Sequence, residues 1–143
     1  MTRLHFSIDI AAPPDKVWRM LWNDASYCDW TSVFSEGSYA VSDWNEGSTI
    51  RFLDASGRNG MSAVIEKMRP GEFMSFRHEA EIKEGQLQQP ADWFGAHENY
   101  TLTGRDGGTT LSVDLDAPDE YRQIFEGKFP HALQRVKTLS EAG

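Results

Sequence analysis

The sequence of 143 residues has very little cysteine and no long apolar run. Cys28 is the single cysteine, so an internal disulfide cannot form. The longest uncharged stretches fall far short of the roughly 18 apolar residues that a membrane-spanning helix needs. The N-terminal stretch, Met1–Asp9, alternates polar and apolar residues and does not resemble a signal peptide. Together these absences favour a cytoplasmic protein without a membrane span.

Positive charge is also scarce. Fourteen Lys and Arg stand against 22 Asp and Glu, which gives a formal net charge of −8 at pH 7. Nucleic-acid binding begins with the neutralisation of phosphates, so we expect no nucleic-acid partner. The four histidines show no metal-type spacing, and the chain contains neither a glycine-rich phosphate motif nor a Gly-x-Ser-x-Gly nucleophile motif. We therefore assign no metal and no cofactor.

Aromatic residues, in contrast, are plentiful at 12 %, including five Trp and eight Phe. Core filling is the simplest explanation, because aromatic side chains dominate burial in protein cores. A large cavity lined by rings is the alternative. Hydrophobic residues at 39 % and charged residues at 25 % are ordinary for a globular protein, and we expect residues 1–143 to form one domain.

The order of secondary structure follows from local patterns. Leu4–Ile10 alternates apolar and polar residues, which predicts a half-buried first strand. Pro13 or Pro14 can open a short helix after it, and a second short helix is predicted through Ala25–Asp29. Turn residues bound six further predicted strands. These strands are Ser38–Trp44, Ser48–Leu53, Met61–Lys67, Phe73–Ile82, Ala96–Thr103 and Thr109–Asp116.

The C-terminal stretch, Pro118–Glu141, has the period of a helix. Its apolar and long side chains recur at steps of three and four, which places them on one face. That face is formed by Tyr121, Ile124, Phe125, Lys128, Ala132, Val136 and Leu139. Because proline lacks an N–H and clashes with the carbonyl four residues earlier, Pro130 predicts a kink or irregular turn near Gly127–Pro130. An antiparallel sheet curved around this helix would leave a cavity between them.

Several stretches resemble a known family: Ile10–Trp18, Trp30, Asn45–Ser48, Gly107–Leu111 and Gly127–Lys137. With the order of elements, they resemble the START-like superfamily, also called SRPBCC. The closer resemblance is to the branch related to the C-terminal domain of the activator of the heat-shock protein 90 ATPase. It implies an α+β helix-grip fold, a curved seven-stranded antiparallel sheet wrapped around a long C-terminal helix. Phe129 replaces the Trp of a Gly-Trp-Pro motif that is frequent in this branch, which has no shared catalytic motif.

Strand alternation indicates which polar side chains enter the cavity. A turn centred at Asp106–Gly107 predicts that apolar residues of the last two strands face one another. The expected pairs are Leu102 with Leu111, Tyr100 with Val113, and Glu98 with Leu115. In Phe73–Ile82, His78 shares a face with apolar residues. If that face is concave, His78 and Glu98 meet inside the cavity, where Tyr100 and Lys128 could join them.

These patterns predict a set of ligand-binding residues and assign no catalytic residue. The set is Phe76, His78, Glu98, Tyr100, Tyr121, Ile124, Phe125 and Lys128. His78 and Glu98 could anchor a ligand, act as an acid/base pair, or simply satisfy each other as a buried structural pair. The long segment Lys83–Phe94 is predicted as a loop at the cavity mouth, where Trp93 either forms a lid or packs the loop down.

The leading functional hypothesis is binding of a small hydrophobic or amphipathic molecule in the cavity. One alternative, suggested by the resemblance, is a co-chaperone-like module whose partner is a chaperone or another protein. Another is a cyclase- or hydrolase-like enzyme that uses His78 and Glu98, although we expect binding rather than catalysis. A filled interior would favour the interaction module, whereas an open cavity with converging His78 and Glu98 would favour a ligand or a reaction.

Overall fold

The computed structural model describes residues 1–89 and 94–142. It confirms the predicted α+β helix-grip fold, with two short helices between the first two strands and a long C-terminal helix. The elements are β1 (Thr2–Ile10), α1 (Pro14–Trp22), α2 (Asp24–Thr31), β2 (Tyr39–Val41), β3 (Thr49–Leu53), β4 (Gly60–Arg69), β5 (Phe73–Lys83), β6 (Gln86–Leu87), β7 (His97–Arg105), β8 (Gly108–Ala117) and α3 (Arg122–Glu141).

The sheet is antiparallel and open, with the order β1-β8-β7-β5-β4-β3-β2. These seven strands are the predicted ones, and β6 adds a short eighth strand beside β5. It lies within the segment that the sequence predicted as a loop. Glu84 and Gly85 both have positive φ, 52° and 80°, which is the requirement of a two-residue type I′ turn. That turn closes a hairpin between Ile82 and Leu87.

The predicted register of β7 and β8 is confirmed. Leu102 pairs with Leu111, and Tyr100 with Val113, so apolar side chains meet on one face. Burial alternates strictly along β8, as expected for a strand with one face toward the core. The concave face is therefore fixed by the two-residue period of the strands.

The two short helices cover one end of this concave face. Pro14 begins α1, in agreement with the tolerance of proline in a first helical turn. Val17 and Leu21 lie on the apolar side of α1 and are completely buried. The indole Nε1 of Trp30 in α2 donates to the carbonyl of Leu21 at 2.9 Å. This hydrogen bond fixes α2 against α1 and places the ring of Trp30 in the core.

The C-terminal helix is continuous from Arg122 to Glu141, preceded by a 3-10 turn at Asp119–Tyr121. The sequence predicted a kink or irregular turn near Gly127–Pro130. The irregular turn is not formed, since all these residues are helical, and a bend of the helix axis there stays a prediction. Phe129, directly before Pro130, and Leu133, three residues after it, are almost fully buried, whereas Pro130 itself is exposed. Tertiary packing of the helix on the sheet therefore outweighs the local cost of proline.

The buried face of α3 differs from the predicted face at its beginning. Its buried residues are Phe129, Ala132, Leu133, Val136 and Ser140. Ala132 and Val136 are buried as predicted, and Phe125 and Lys128 are half-buried. Ile124 is 48 % exposed, so its predicted inward orientation is wrong. The reason is geometric: Ile124 precedes Phe125 by about 100° around the helix axis, which turns it away from the stripe that contains Phe129.

None of the helices in residues 1–89 and 94–142 has both the length and the apolar character required to cross a membrane.

Candidate functional site

A cavity of about 480 Å³ lies between the concave face of the sheet and the helices α2 and α3. Aromatic rings dominate its walls. They belong to Trp22, Tyr27, Trp30, Phe34, Tyr39, Phe52, Phe76, Tyr100, Tyr121, Phe125 and Phe129. Several of these rings, such as Trp30 and Phe76, are also fully buried core residues. The aromatic richness of the sequence therefore serves both the core and the cavity wall.

The polar end of the cavity is formed by His78 on β5 and by Glu98 and Tyr100 on β7. The imidazole Nε2 of His78 lies 3.0 Å from Oε1 of Glu98, and the Tyr100 hydroxyl donates to Oε2. The side chains of His78 and Glu98 are 13 % and 21 % exposed. An ionised carboxylate only accepts hydrogen bonds, so Nε2 is the donor in this contact when Glu98 is ionised.

The sheet register explains why these groups meet. Phe76 pairs directly with Glu98, and Met74 with Tyr100, so alternate residues of both strands share the concave face. The backbone N–H of His78 donates to the carbonyl of Ala96 at 2.9 Å, which continues the contact between β5 and the residues that precede β7. Strand alternation and register thus bring His78 and Glu98 together as predicted.

Burial and negative charge keep two phenols protonated beside this pair. Burial, followed by the charge of Glu98, raises the pKa of Tyr100 well above its ordinary value of 10.0. The same two causes raise the pKa of Tyr27 far above 10.0. Desolvation disfavours a phenolate in both positions, and a nearby carboxylate disfavours it further. Both hydroxyls therefore remain hydrogen-bond donors at neutral pH.

Trp22 occupies the centre of the aromatic wall. Its ring meets Tyr100 and Phe76 edge to face, with centroid distances of 5.0 and 5.4 Å. Trp44 packs on it from another side at 5.8 Å and adopts a left-handed backbone conformation with φ of 61°. This conformation is uncommon for a bulky residue and is stabilised here by aromatic packing.

Six of the eight predicted binding residues line the cavity. They are Phe76, His78, Glu98, Tyr100, Tyr121 and Phe125. The other two, Ile124 and Lys128, do not line it. Ligand binding by any of the eight residues stays a prediction. Ile124 faces solvent, for the reason given above. Lys128 donates through Nζ to the carbonyl of Phe34 at 3.0 Å, which ties α3 to the segment after α2.

Sequence reasoning missed the contribution of the short helices and of β3 and β4. Trp22, Tyr27 and Trp30 enter the cavity wall from α1 and α2, and Phe52 and Met61 from the strands. A short helix buries several faces at once, so its sequence does not indicate which ring reaches a cavity. Phe129 could have been predicted as a lining residue, since it takes the place of the Trp in the Gly-Trp-Pro motif of the branch that this sequence resembles. Trp93 lies outside the described residues, and its role as a lid stays a prediction.

The charged residues of the cavity wall are acidic. Glu98 lies inside, and Asp54 and Glu81 lie nearer to the rim. Asp116 also contributes to the wall, but its carboxylate faces Arg3 at 2.8 Å. Within the described part of the chain, no Lys or Arg lines the cavity. No cluster of three or more potential metal-ligating side chains occurs among residues 1–89 and 94–142.

The chain was compared with known families and solved structures. The model of the family described as "Activator of Hsp90 ATPase homolog 1-like protein" matches residues 11–140. The Aha1 dimer from Colwellia psychrerythraea has a similar structure, with a TM-score of 0.78 and 20 % identity over 100 % of this chain and 98 % of that one. No curated protein matches the chain significantly.

Two further solved structures share the fold. Protein CV1439 from Chromobacterium violaceum gives a TM-score of 0.71 and 20 % identity over the full length of both chains, each covered to 100 %. The AHSA1-like protein from Aeromonas hydrophila gives 0.67 and 14 %, over 99 % of this chain and 98 % of that one. At such identities structural likeness establishes the fold alone. Because the family match extends over most of the chain, this protein belongs to the family of Activator of Hsp90 ATPase homolog 1-like proteins.

Proposed function

We propose that this protein binds a small hydrophobic or amphipathic molecule in the cavity between its sheet and its C-terminal helix. The observation that carries the proposal is the cavity itself, with a volume of about 480 Å³ and many aromatic rings in its walls. Small-molecule sites have volumes of about 300–1,000 Å³ and are mostly apolar with a few placed polar groups. A filled interior would instead have favoured a module that acts only through its surface.

The polar end of the cavity suits the orientation of a ligand. Glu98 accepts hydrogen bonds from His78 and Tyr100, and a carboxylate has further lone pairs to offer. The partial exposure of Glu98, 21 %, leaves room for such a contact. An apolar ligand body against the rings and a donor group on Glu98 would therefore satisfy both parts of the cavity.

A second function, protein interaction of the co-chaperone kind, is supported by the family match and by one surface feature. Tyr121, just before α3, and Ile124, in its first turn, are 43 % and 48 % exposed. Exposed apolar side chains of this size mark interaction sites when they are adjacent. This function would depend on the outer surface of the helix and would be independent of the volume of the cavity.

Filling the cavity tests the first function directly. The neutral dye Nile red should bind wild-type protein at one saturable site with a blue-shifted emission. Met61 lines the cavity and is half-buried, so Met61→Trp should place a larger side chain into the volume. We expect at least about tenfold weaker dye binding, because apolar contacts are lost and the ligand space shrinks.

The matched control is Met20→Trp, which makes the same exchange at a half-buried position of α1 outside the cavity wall. Dye affinity should remain at the wild-type value in this variant. Absence of saturable dye binding, or an equal loss in both variants, would contradict the cavity as a binding site. Interaction with a purified chaperone that persists in Met61→Trp would instead support the second function.

A further inference from the structure

The charge distribution of the cavity wall indicates which ligands it prefers. Glu98, Asp54 and Glu81 contribute carboxylates, and none of the described lining residues is Lys or Arg. The rim carboxylates are partly compensated, because Asp54 accepts hydrogen bonds from Ser56 and Glu81 lies 3.8 Å from Lys83. Glu98 is different, since its partners are an imidazole and a phenol. The inner end of the cavity therefore carries a carboxylate without a permanently charged partner among the described residues.

We propose that the cavity selects hydrophobic ligands that carry a positively charged nitrogen, namely organic ammonium compounds, over hydrophobic carboxylates and phosphates. This inference rests on the proposed ligand-binding function and specifies its ligand class.

The first argument concerns Glu98. Its side chain is mostly buried, so its charge is screened by solvent far less than that of a surface carboxylate. A ligand cation placed beside it gains a charge-assisted hydrogen bond. A ligand carboxylate in the same place would meet a like charge, and none of the described lining residues is a Lys or Arg that could compensate it. The charge of Glu98 also contributes to the raised pKa of Tyr27 and Tyr100, which indicates that its field extends over the neighbouring rings.

The second argument concerns the rings around Glu98. Phe76 stands directly opposite Glu98 in the β5–β7 register. Phe76 and Tyr100 both meet Trp22 edge to face, at interplanar angles of 81° and 85°. Aromatic faces carry partial negative charge and attract cations, with Trp the strongest of the three ring types. The wall therefore provides carboxylate and ring faces close together, which is the chemistry that binds an ammonium group.

Three ligands of nearly equal shape test this preference: 2-(1-naphthyl)ethylammonium, 2-(1-naphthyl)ethanol and 1-naphthylacetate. Isothermal titration calorimetry at about pH 8 keeps the alkylammonium and the carboxylate of these ligands charged. We expect the ammonium to bind about tenfold more tightly than the alcohol and about a hundredfold more tightly than the carboxylate. Equal affinities, or tighter binding of the carboxylate, would overturn the charge preference and leave the cavity as a neutral hydrophobic site. Failure of all three to bind would overturn ligand binding in the cavity as well.

Variants that each remove one carboxylate charge test which residue causes the preference for the ammonium ligand. Glu98→Gln keeps the size and hydrogen-bonding capacity of the side chain, and it should reduce the ammonium-to-alcohol ratio to about twofold, the part due to the rings. Glu79→Gln is the matched control, because Glu79 pairs with Arg77 outside the cavity wall. Its ratio should remain at about tenfold. If Glu98→Gln does not fold, Glu81→Gln at the rim is the second variant, and it should still lower the ammonium-to-alcohol affinity ratio measurably. An unchanged ratio in Glu81→Gln, together with equal affinities of the wild-type protein for the ligands, would reject the proposal.

Discussion

Two neighbouring residues, His97 and Glu98, belong to pairs on opposite faces of the same sheet. Glu98 faces inward and bonds to His78, whereas His97 faces outward and bonds to Glu66. The inner side chains of His78 and Glu98 are 13 % and 21 % exposed, and the outer ones of His97 and Glu66 are 34 % and 37 % exposed. The same two residue types thus form the same contact in a more buried and in a more exposed environment.

The second partner of each carboxylate shows the consequence of this difference. On the outer face, Arg77 lies 3.5 Å from Glu66, so a fixed positive charge shares the carboxylate. On the inner face, the second partner of Glu98 is the neutral hydroxyl of Tyr100. A solvated ion pair contributes little to stability, but a desolvated carboxylate depends strongly on each donor. Removing one member of the inner pair should therefore cost more than removing one member of the outer pair, and the inner carboxylate has charge left for a ligand.

Removal of the carboxylate of Glu98 or of Glu66 should give the largest difference in stability between the two pairs. Glu98→Ala leaves the Tyr100 hydroxyl and His78 Nε2 without their acceptor, so we expect a loss of about 2–3 kcal/mol in the free energy of unfolding. Glu66→Ala should cost less than about 1 kcal/mol, because water and salt already screen the outer pair. Urea denaturation monitored by tryptophan fluorescence measures both values. Equal losses would mean that the cavity is as well hydrated as the outer surface.

A smaller effect is expected when only one donor of the inner group is removed. Tyr100→Phe deletes the hydroxyl that Glu98 accepts and should cost about 1 kcal/mol, whereas Tyr121→Phe at an exposed position should leave stability unchanged. The effect should also depend on pH. Burial and the charge of Glu98 raise the pKa of Tyr100 in the folded state, so its contribution is complete below the unfolded value of about 10 and is lost as the pH rises above it.

Denaturation at increasing alkaline pH checks this sign. Wild-type protein should lose stability above about pH 10, and Tyr100→Phe should lose it less steeply because one of the two buried phenols is absent. Parallel curves for both proteins would show that Tyr100 ionises without unfolding and that the inner end is open to solvent.

The inner pair could be predicted from the sequence because strands have a period of two residues. Leu102 opposite Leu111 fixed the register, and a slip by one residue would have exposed every apolar side chain of β8. The orientation of Glu98 then followed from its place two residues before Tyr100. Short-range alternation and one turn were sufficient information for this part of the site.

The helical part of the site could not be predicted as well. A helix rotates by about 100° per residue, so Ile124 and Phe125 offered two neighbouring stripes of similar apolar character. Contact with the sheet decides between them: Phe6 stacks on Phe129 at 5.1 Å, and Phe129 in turn lies 5.9 Å from Phe125. The position of Trp22 depends likewise on packing between elements far apart in the sequence. These choices are tertiary, and local periodicity does not contain them.

The smallest expected effect concerns a third carboxylate pair, which joins α2 to α3 at the surface. Asp29 accepts two hydrogen bonds from Arg135, at 2.5 and 2.9 Å, and their side chains are 34 % and 45 % exposed. The bidentate geometry is favourable, but solvent screens the charges, so Asp29→Asn should lower stability at neutral pH by only about 0.5 kcal/mol.

Acid titration distinguishes the charge of Asp29 from its packing. The hydrogen bonds from Arg135 are the main cause that lowers the pKa of Asp29 below 3.8 in the folded state. The unfolded chain therefore takes up this proton first, and the stabilisation is complete above pH 3.8 and lost as the pH falls through the lower folded value. The stability difference between wild type and Asp29→Asn should accordingly be constant from neutral pH down to about pH 5 and disappear in stronger acid. A stability difference between wild type and Asp29→Asn that persists at low pH would assign the effect to packing of α2 on α3. If Asp29→Asn lowers stability at neutral pH as much as Glu98→Ala does, the distinction between solvated and desolvated carboxylates does not hold.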